Sequence, residues 1–468
     1  MVFLLIGAGD VSAFLAEDLN FMQQNSITPD RPENWNIEYL GSCLDITYTH
    51  IIDVVTQNNY AYVISHSDYM MQCPNYFGAL DIIDISTDTP TIVATLSYQQ
   101  GSNIELVIDI DVQDDRAYIL DRQTCGSNPL YIDVIDISDP TEPYLMNQFE
   151  VDQSIINEIQ ICCNGEFVYL FRPGSLLIYY STYLYEPITV FPVDFTEVND
   201  FVVRGQKVYL IGEAVIETKD DTPDSIPVFE IIDCTDISNP QLLSEILCES
   251  ATHIAVTTYV NINSLQNSRD CAYLTTNTGL QIIDITDPLQ PLIRDSYLMS
   301  SPPLEIILEG IYAYVSCESS EIIVLDLSYS LIPLITGIYT SDSQAYALAV
   351  FKNTICTLDD INRFSTLRFT SGTLVMPKRP EGPTQGSIGI IYDYTILLYR
   401  VSDNFHSFVL WSWGDNTFSN WTGPYHPGES VHATHSWSDR GVFAIRVKIK
   451  DSNGHESRWS MPLLVTIE

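Results

Sequence analysis

The chain has 468 residues, with 61 Asp or Glu against 20 Lys or Arg, a formal net charge of −41. An apolar share of 46% supplies ample core material, which excludes a disordered acidic chain. Nucleic acid as the main partner is excluded as well, because a phosphate backbone would be repelled and no basic patch offsets the repulsion.

The N-terminal residues 1–16, MVFLLIGAGDVSAFLA, read as part of a secretory signal. They hold a short apolar run and a small-residue site at Val11-Ser12-Ala13, yet lack a basic start and carry Asp10. The competing reading is a plain N-terminal tail. Residues 1–35 are therefore expected to form a partial signal peptide and N-terminal segment. No other apolar run reaches about 18 residues, so no membrane span is expected. Ten Cys without a CxxC pair argue against a zinc ribbon and fit an oxidising, extracellular or cell-surface setting.

One phrase then recurs along the chain: LDIIDISTDTP, IDVIDISDPTEP, FEIIDCTDISNP, LQIIDITDPLQP and IIVLDLSYSLIP. Its Asp residues are Asp84, Asp136, Asp233, Asp284 and Asp326, with a degenerate copy in which Tyr180 takes the Asp position. Successive copies lie 52, 44, 53, 51 and 42 residues apart. A Tyr element precedes each copy, at Tyr62, Tyr118, Tyr169, Tyr209, Tyr273 and Tyr314. A weaker seventh unit follows in NTICTL and FSTLRF. Period-2 alternation and β-branched residues make these elements strands, with one more strand before the Tyr element and one after the Pro. Four strands in 40–50 residues is the period of a β-propeller blade, so an all-β chain with a seven-bladed propeller over residues 36–376 is expected. Residues 36–41, NIEYLG, have no unit before them and are expected to complete the seventh blade, closing the ring between the chain ends. The alternative is that residues 371–377, SGTLVMP, fill that place.

The recurring phrase resembles the LVIVD repeat, a propeller repeat of secreted bacterial and archaeal proteins. That resemblance implies the fold and an extracytoplasmic setting, and it carries no catalytic residues to transfer.

From residue 377 the composition changes. Nine acids meet eight bases there, so about −40 of the charge belongs to the first 376 residues. This part also holds five of six Trp and none of the Cys. Residues 377–389, rich in Pro and Gly, are expected as a linker, and residues 390–468 as a small β-sandwich. The run Trp411-Ser412-Trp413-Gly414-Asp415-Asn416-Thr417, with His435-Ser436-Trp437, resembles a polycystic-kidney-disease (PKD) domain, an immunoglobulin-like module. It departs from that family at Asn416, where Gly is usual, and Asn tolerates the same positive φ. The resemblance implies a spacer or contact module.

The repeated strand Asp residues are expected to be structural, each accepting backbone N–H bonds in the turn that follows. Asp109, Asp111, Asp114 and Asp115 alternate like calcium ligands but lack the Gly and Glu of an EF-hand loop, so a solvated turn is expected. A candidate calcium site is the acidic insertion of residues 212–227, with Glu217, Asp220, Asp221 and Asp224. Candidate ligand-binding residues are Tyr69, Met70, Tyr76 and Phe77, on a long rim loop where aromatics would stack on a sugar or protein partner. Cys73 and Cys125 lie in equivalent loops of adjacent units and form the best disulfide candidate, with Cys234–Cys248 a second. His432 and His435 fall on opposite faces of a strand, which is poor geometry for a shared metal. Asn420-Trp421-Thr422 is an N-glycosylation sequon, with Asn420 the candidate acceptor.

These features favour a secreted or cell-surface, non-enzymatic binding or scaffold protein whose partner is a protein or glycan. One alternative is an extracellular polysaccharide hydrolase or lyase with paired carboxylates at the channel mouth; a pair of inward-facing acids with raised pKa would be its mark. Another is self-association into a surface layer or filament.

Overall fold

The computed structural model describes residues 34–43, 50–66, 78–98, 105–123, 129–152, 160–172, 174–217, 223–257, 270–327, 333–370, 375–398, 407–426, 428–452, 454 and 456–468. These residues are strands and turns, with no helix among them. Alternating β-branched residues and Asn, Asp or Gly punctuation leave short antiparallel hairpins as the economical local structure.

Twenty-eight strands build seven four-stranded antiparallel sheets among the described residues. The first sheet runs His50–Gln57, Tyr60–His66, Gly78–Asp84 and Thr91–Tyr98, each strand paired to the next. Five more sheets repeat this up-and-down order, beginning with Glu105–Gln113, Gln160–Asn164, Phe195–Arg204, Ala251–Thr257 and Pro303–Glu309. In the seventh, Ala345–Phe351, Thr354–Asp359 and Phe364–Phe369 are joined by Ile37–Cys43 from the far end of the chain. That last pair runs antiparallel from Ile37 opposite Phe369 to Cys43 opposite Phe364. Of the two candidates for this place, the N-terminal segment occupies it. Trp35 adds a pair of backbone bonds to Ile338 of the sixth sheet. Val375 and Met376 lie buried instead, and the Met376 N–H donates to the Ile335 carbonyl.

Each sheet packs face to face on the next, and the first strand of the seventh returns to the first strand of the first. The apolar core is accordingly divided into seven clusters, one at each seam of the closed ring. The repeat Tyr residues are buried in these seams, Tyr62, Tyr118, Tyr169, Tyr209, Tyr273 and Tyr314 all being at most 4% exposed. Burying such a side chain contributes roughly 1.5–3 kcal/mol, so the seams hold the ring together. The repeated Asp residues close the turns as expected. Asp84, Asp136, Asp233 and Asp284 each accept the N–H of the residue two further on, at 2.8–3.1 Å.

A second unit follows. A five-stranded sheet and the hairpin-like pair Tyr392–Leu397 with Ser430–His435 enclose a core that includes Tyr394, Trp411, Trp413, Trp437 and Val447. Its structure begins inside the segment read as a linker: Gln385–Gly386 pairs in parallel with the strand Leu463–Ile467, and Glu381 exchanges backbone bonds with Thr395. The Pro and Gly residues there shape an ordered edge. Asn416 sits at φ 66°, the conformation its Gly-like position requires. The neighbouring Asp415 accepts from the Thr417 N–H and hydroxyl and lies 2.8 Å from His435 Nε2. Burial works against ionisation of Asp415, but these bonds outweigh it and hold its carboxyl below the usual range. His435 stacks flat on Trp413, 4.6 Å between ring centres, while His432 pairs separately with Asp393.

Candidate functional site

The innermost strand of each sheet has one unpaired edge, facing the axis of the ring, and its N–H groups need acceptors. The sequence supplies them from side chains. In six of the seven sheets that strand carries a bulge near its start, which sets the following residue at an equivalent place in each. Those residues are Asp53, Asp109, Asp200, Glu305 and Ala347, with His253 within the wider bulge of the fifth sheet; Gln160 holds the place in the third.

Three of the acids reach across a seam in the same way. The Ile161 N–H donates to Asp109 Oδ2 at 2.7 Å, the Ile254 N–H to Asp200 Oδ2 at 2.9 Å, and the Leu348 N–H to Glu305 Oε2 at 2.5 Å. In each case the donor belongs to the next sheet. Asp53, Asp109 and Asp200 also accept the N–H of their own following residue through Oδ1. Asp111, one step further along its strand, takes the Cys163 N–H at 2.6 Å. Gln160 completes the pattern with a bond to the Asn199 carbonyl.

The residues of this ring that carry the acids are half-buried. Burial pushes Asp53 up to about 8, aided by the charge of Glu305 and opposed by the Val54 N–H it accepts. Asp109 rises well above the ordinary carboxylate range through burial and then the charge of Asp53. Burial likewise takes Asp200 to about 7, Glu305 to about 8 and Asp111 to about 6, against the pull of the amides they accept. His253 is held below its usual value by burial. Several of these groups therefore keep a proton at neutral pH.

Asp109 and Asp111 thus correct the solvated-turn expectation. Only Asp114 and Asp115 lie in the exposed turn; the other two sit on the innermost strand, where ring closure buries them. The acidic insertion is also more regular than a loop. Lys207–Glu217 and Pro223–Asp233 continue the hairpin, with Glu217 opposite Pro223 and Ile216 opposite Asp224. Asp220 and Asp221 lie outside the described residues. Among the described residues no group of three or more His, Cys, Asp or Glu is placed to hold a metal ion. Tyr69, Met70, Tyr76, Phe77, Cys73 and Cys125 all fall outside the described residues. Cys234 and Cys248, the second disulfide candidate, are separate thiols. Burial leaves both thiols at about 12. Asn420 is exposed.

The ring acids carried a signal that the reading of motifs passed over. Asp53, Asp109, Gln160, Asp200 and Glu305 each stand nine residues before a repeat Tyr. The offset is legible once the Tyr positions are aligned; the inward direction is not.

The closed ring of four-stranded antiparallel sheets defines a β-propeller. The chain contains LVIVD repeats, matched at residues 107–151 and 265–299. Among solved structures it is similar to the WD40 propeller domain of Doa1, 9% identical over 72% of this chain and 98% of that one, with a TM-score of 0.48. It is also similar to BamB from Moraxella catarrhalis, 12% identical over 69% of this chain and 84% of that one, with a TM-score of 0.41. At such identity the likeness concerns fold alone. A shorter stretch, 19% of this chain, is 38% identical to the PKD domain of an M14-like peptidase from a Thermoplasmatales archaeon, covering 94% of that domain with a TM-score of 0.17. No curated protein matches the chain.

Proposed function

We propose that the protein is a non-enzymatic binding or scaffold protein of the cell exterior. Each of the seven sheets is read as one blade of a propeller spanning residues 36–376, the recognition platform. Residues 390–468 are read as a PKD-like, immunoglobulin-like spacer or contact module, and the partner as a protein or glycan. The LVIVD repeats and the exposed sequon Asn420 support the extracytoplasmic setting.

One observation carries the non-enzymatic reading. Asp53 and Asp109 are inward-facing acids with raised pKa, as a glycoside-cleaving site would need, but both oxygens of Asp109 and one of Asp53 already accept backbone N–H groups. Asp200 likewise accepts backbone amides through both oxygens, and Glu305 accepts the Leu348 N–H across its seam. The acids act as ties between sheets. A turnover screen on neutral and acidic polysaccharides is expected to find no product. Turnover that disappears in Asp53→Asn and Asp109→Asn, with the fold retained, would sink this reading.

A further inference from the structure

We infer that the groove between the third and fourth sheets, at the end where their strand-three-to-four turns emerge, binds a neutral saccharide. Its origin is a local break in the repeat. After each turn Asp the chain places a large apolar residue, Ile85, Ile137, Ile285 or Leu327, at most 6% exposed. Ile137, Ile285 and Leu327 each share a core cluster with the repeat Tyr of the preceding sheet, Tyr62, Tyr209 and Tyr273. In the fourth sheet that residue is Cys234, which meets Tyr169 with a much shorter side chain. The third sheet departs too, with Tyr180-Ser181 where the other copies have Asp followed by a large residue. Together the two departures leave a cavity of about 600 Å³, within the range of small-ligand clefts.

The lining chemistry narrows the ligand. Tyr180 is 46% exposed and is backed by Phe167, 5.5 Å between ring centres, so the groove has an aromatic wall. The fourth sheet lines it with Gln206, Asp236 and Ser238, and Asn164 of the third sheet lines it beside Phe167, its Nδ2 donating to the Gly205 carbonyl. Asp236, exposed at the groove, takes both the N–H and the hydroxyl of Ser238 on Oδ1. Glu166 also lines the groove, within a propeller carrying about −40, so phosphorylated or uronic ligands are repelled. An uncharged molecule with an apolar face for Tyr180 and hydroxyls for a carboxylate and amides satisfies both walls. A neutral sugar ring is that molecule.

This deepens the binding reading above and rests on it. The test is calorimetric titration of the whole protein with oligosaccharides of glucose, galactose, mannose and N-acetylglucosamine, and with spermine as the cationic competitor. One saccharide is expected to bind, with affinity at least tenfold weaker in Tyr180→Ala and Asp236→Asn. Cys234→Ile restores the residue of the other seams; it is expected to fill the groove and abolish binding while the unfolding temperature holds or rises. Saccharide binding that survives both Tyr180→Ala and Cys234→Ile overturns the proposal, as does binding of spermine alone or of nothing. Hydrolysis of a sugar whose binding is lost in Tyr180→Ala would support the groove and refute the non-enzymatic reading, so the two failures are distinguishable.

Discussion

Replacing Asp200 with Asn changes how the stability of the propeller depends on pH. In the folded protein this carboxyl is raised from 3.8 to about 7, first by burial, with the Ile254 and Phe201 amides opposing. The folded state thus binds the proton more tightly than the unfolded chain. Its stabilising contribution is complete below pH about 4 and is lost as pH rises to about 7, at up to about 1.4 kcal/mol per pH unit. Across that window the wild type loses about 4 kcal/mol from this residue alone. Asn does not titrate, but it keeps only one acceptor oxygen for two amides, 2.8 and 2.9 Å away in the wild type. Leaving one of them unpaired costs about 1–3 kcal/mol at every pH. Asp200→Asn is therefore expected to be less stable than wild type near pH 4.5 and equal or more stable near pH 8. Urea unfolding of the propeller transition at the two pH values measures the crossover. An equal loss at both would refute the argument, because it would show an acid that titrates normally in the fold.

Ile37→Ala removes a side chain that is 5% exposed in the closing seam and is expected to cost about 2–4 kcal/mol by thermal unfolding. Deleting residues 1–43 frees the edge of Phe364–Phe369, so light scattering should show concentration-dependent association. His435→Ala loses a stacked ring and a carboxylate bond, about 3 kcal/mol, and differential scanning calorimetry should show the loss only in the transition of the C-terminal unit. Cys234 and Cys248, held at about 12, carry almost no thiolate at pH 7. A thiol reagent should label them only after denaturation; failure to label denatured, unreduced protein would mean they are bridged.

Much of the propeller was legible because its determinants are local. Alternation marked the strands, the Asp-containing phrase marked the turns, and the Tyr elements marked residues that proved to be buried. The pairing of Ile37–Cys43 with Phe364–Phe369 was also readable, since an orphan strand at one end met an incomplete unit at the other. The pairings at Glu381 and Gln385–Gly386 were not legible, because Pro and Gly indicate breaks in regular structure without saying whether the segment is docked. The site was harder. Aromatic loops and acidic insertions stand out by composition, whereas the acids around the axis look like any polar residue on an alternating strand.

The sequence by itself determined the all-β repeat, its period, the turn chemistry and the placement of the charge, each set by residues within a few positions of one another. Tertiary structure decided which acids are buried. Asp109 and Asp114 are five residues apart, yet one lies deep in the ring tying two sheets together and the other is exposed in a turn. That difference arises only when the ring closes, because the desolvation of Asp109 comes from the ring and its cross-seam donor, the Ile161 N–H, lies 52 residues further along the chain. The same holds for the groove. Cys234 is an ordinary residue in its own strand, and it becomes an opening only against Tyr169 of the neighbouring sheet.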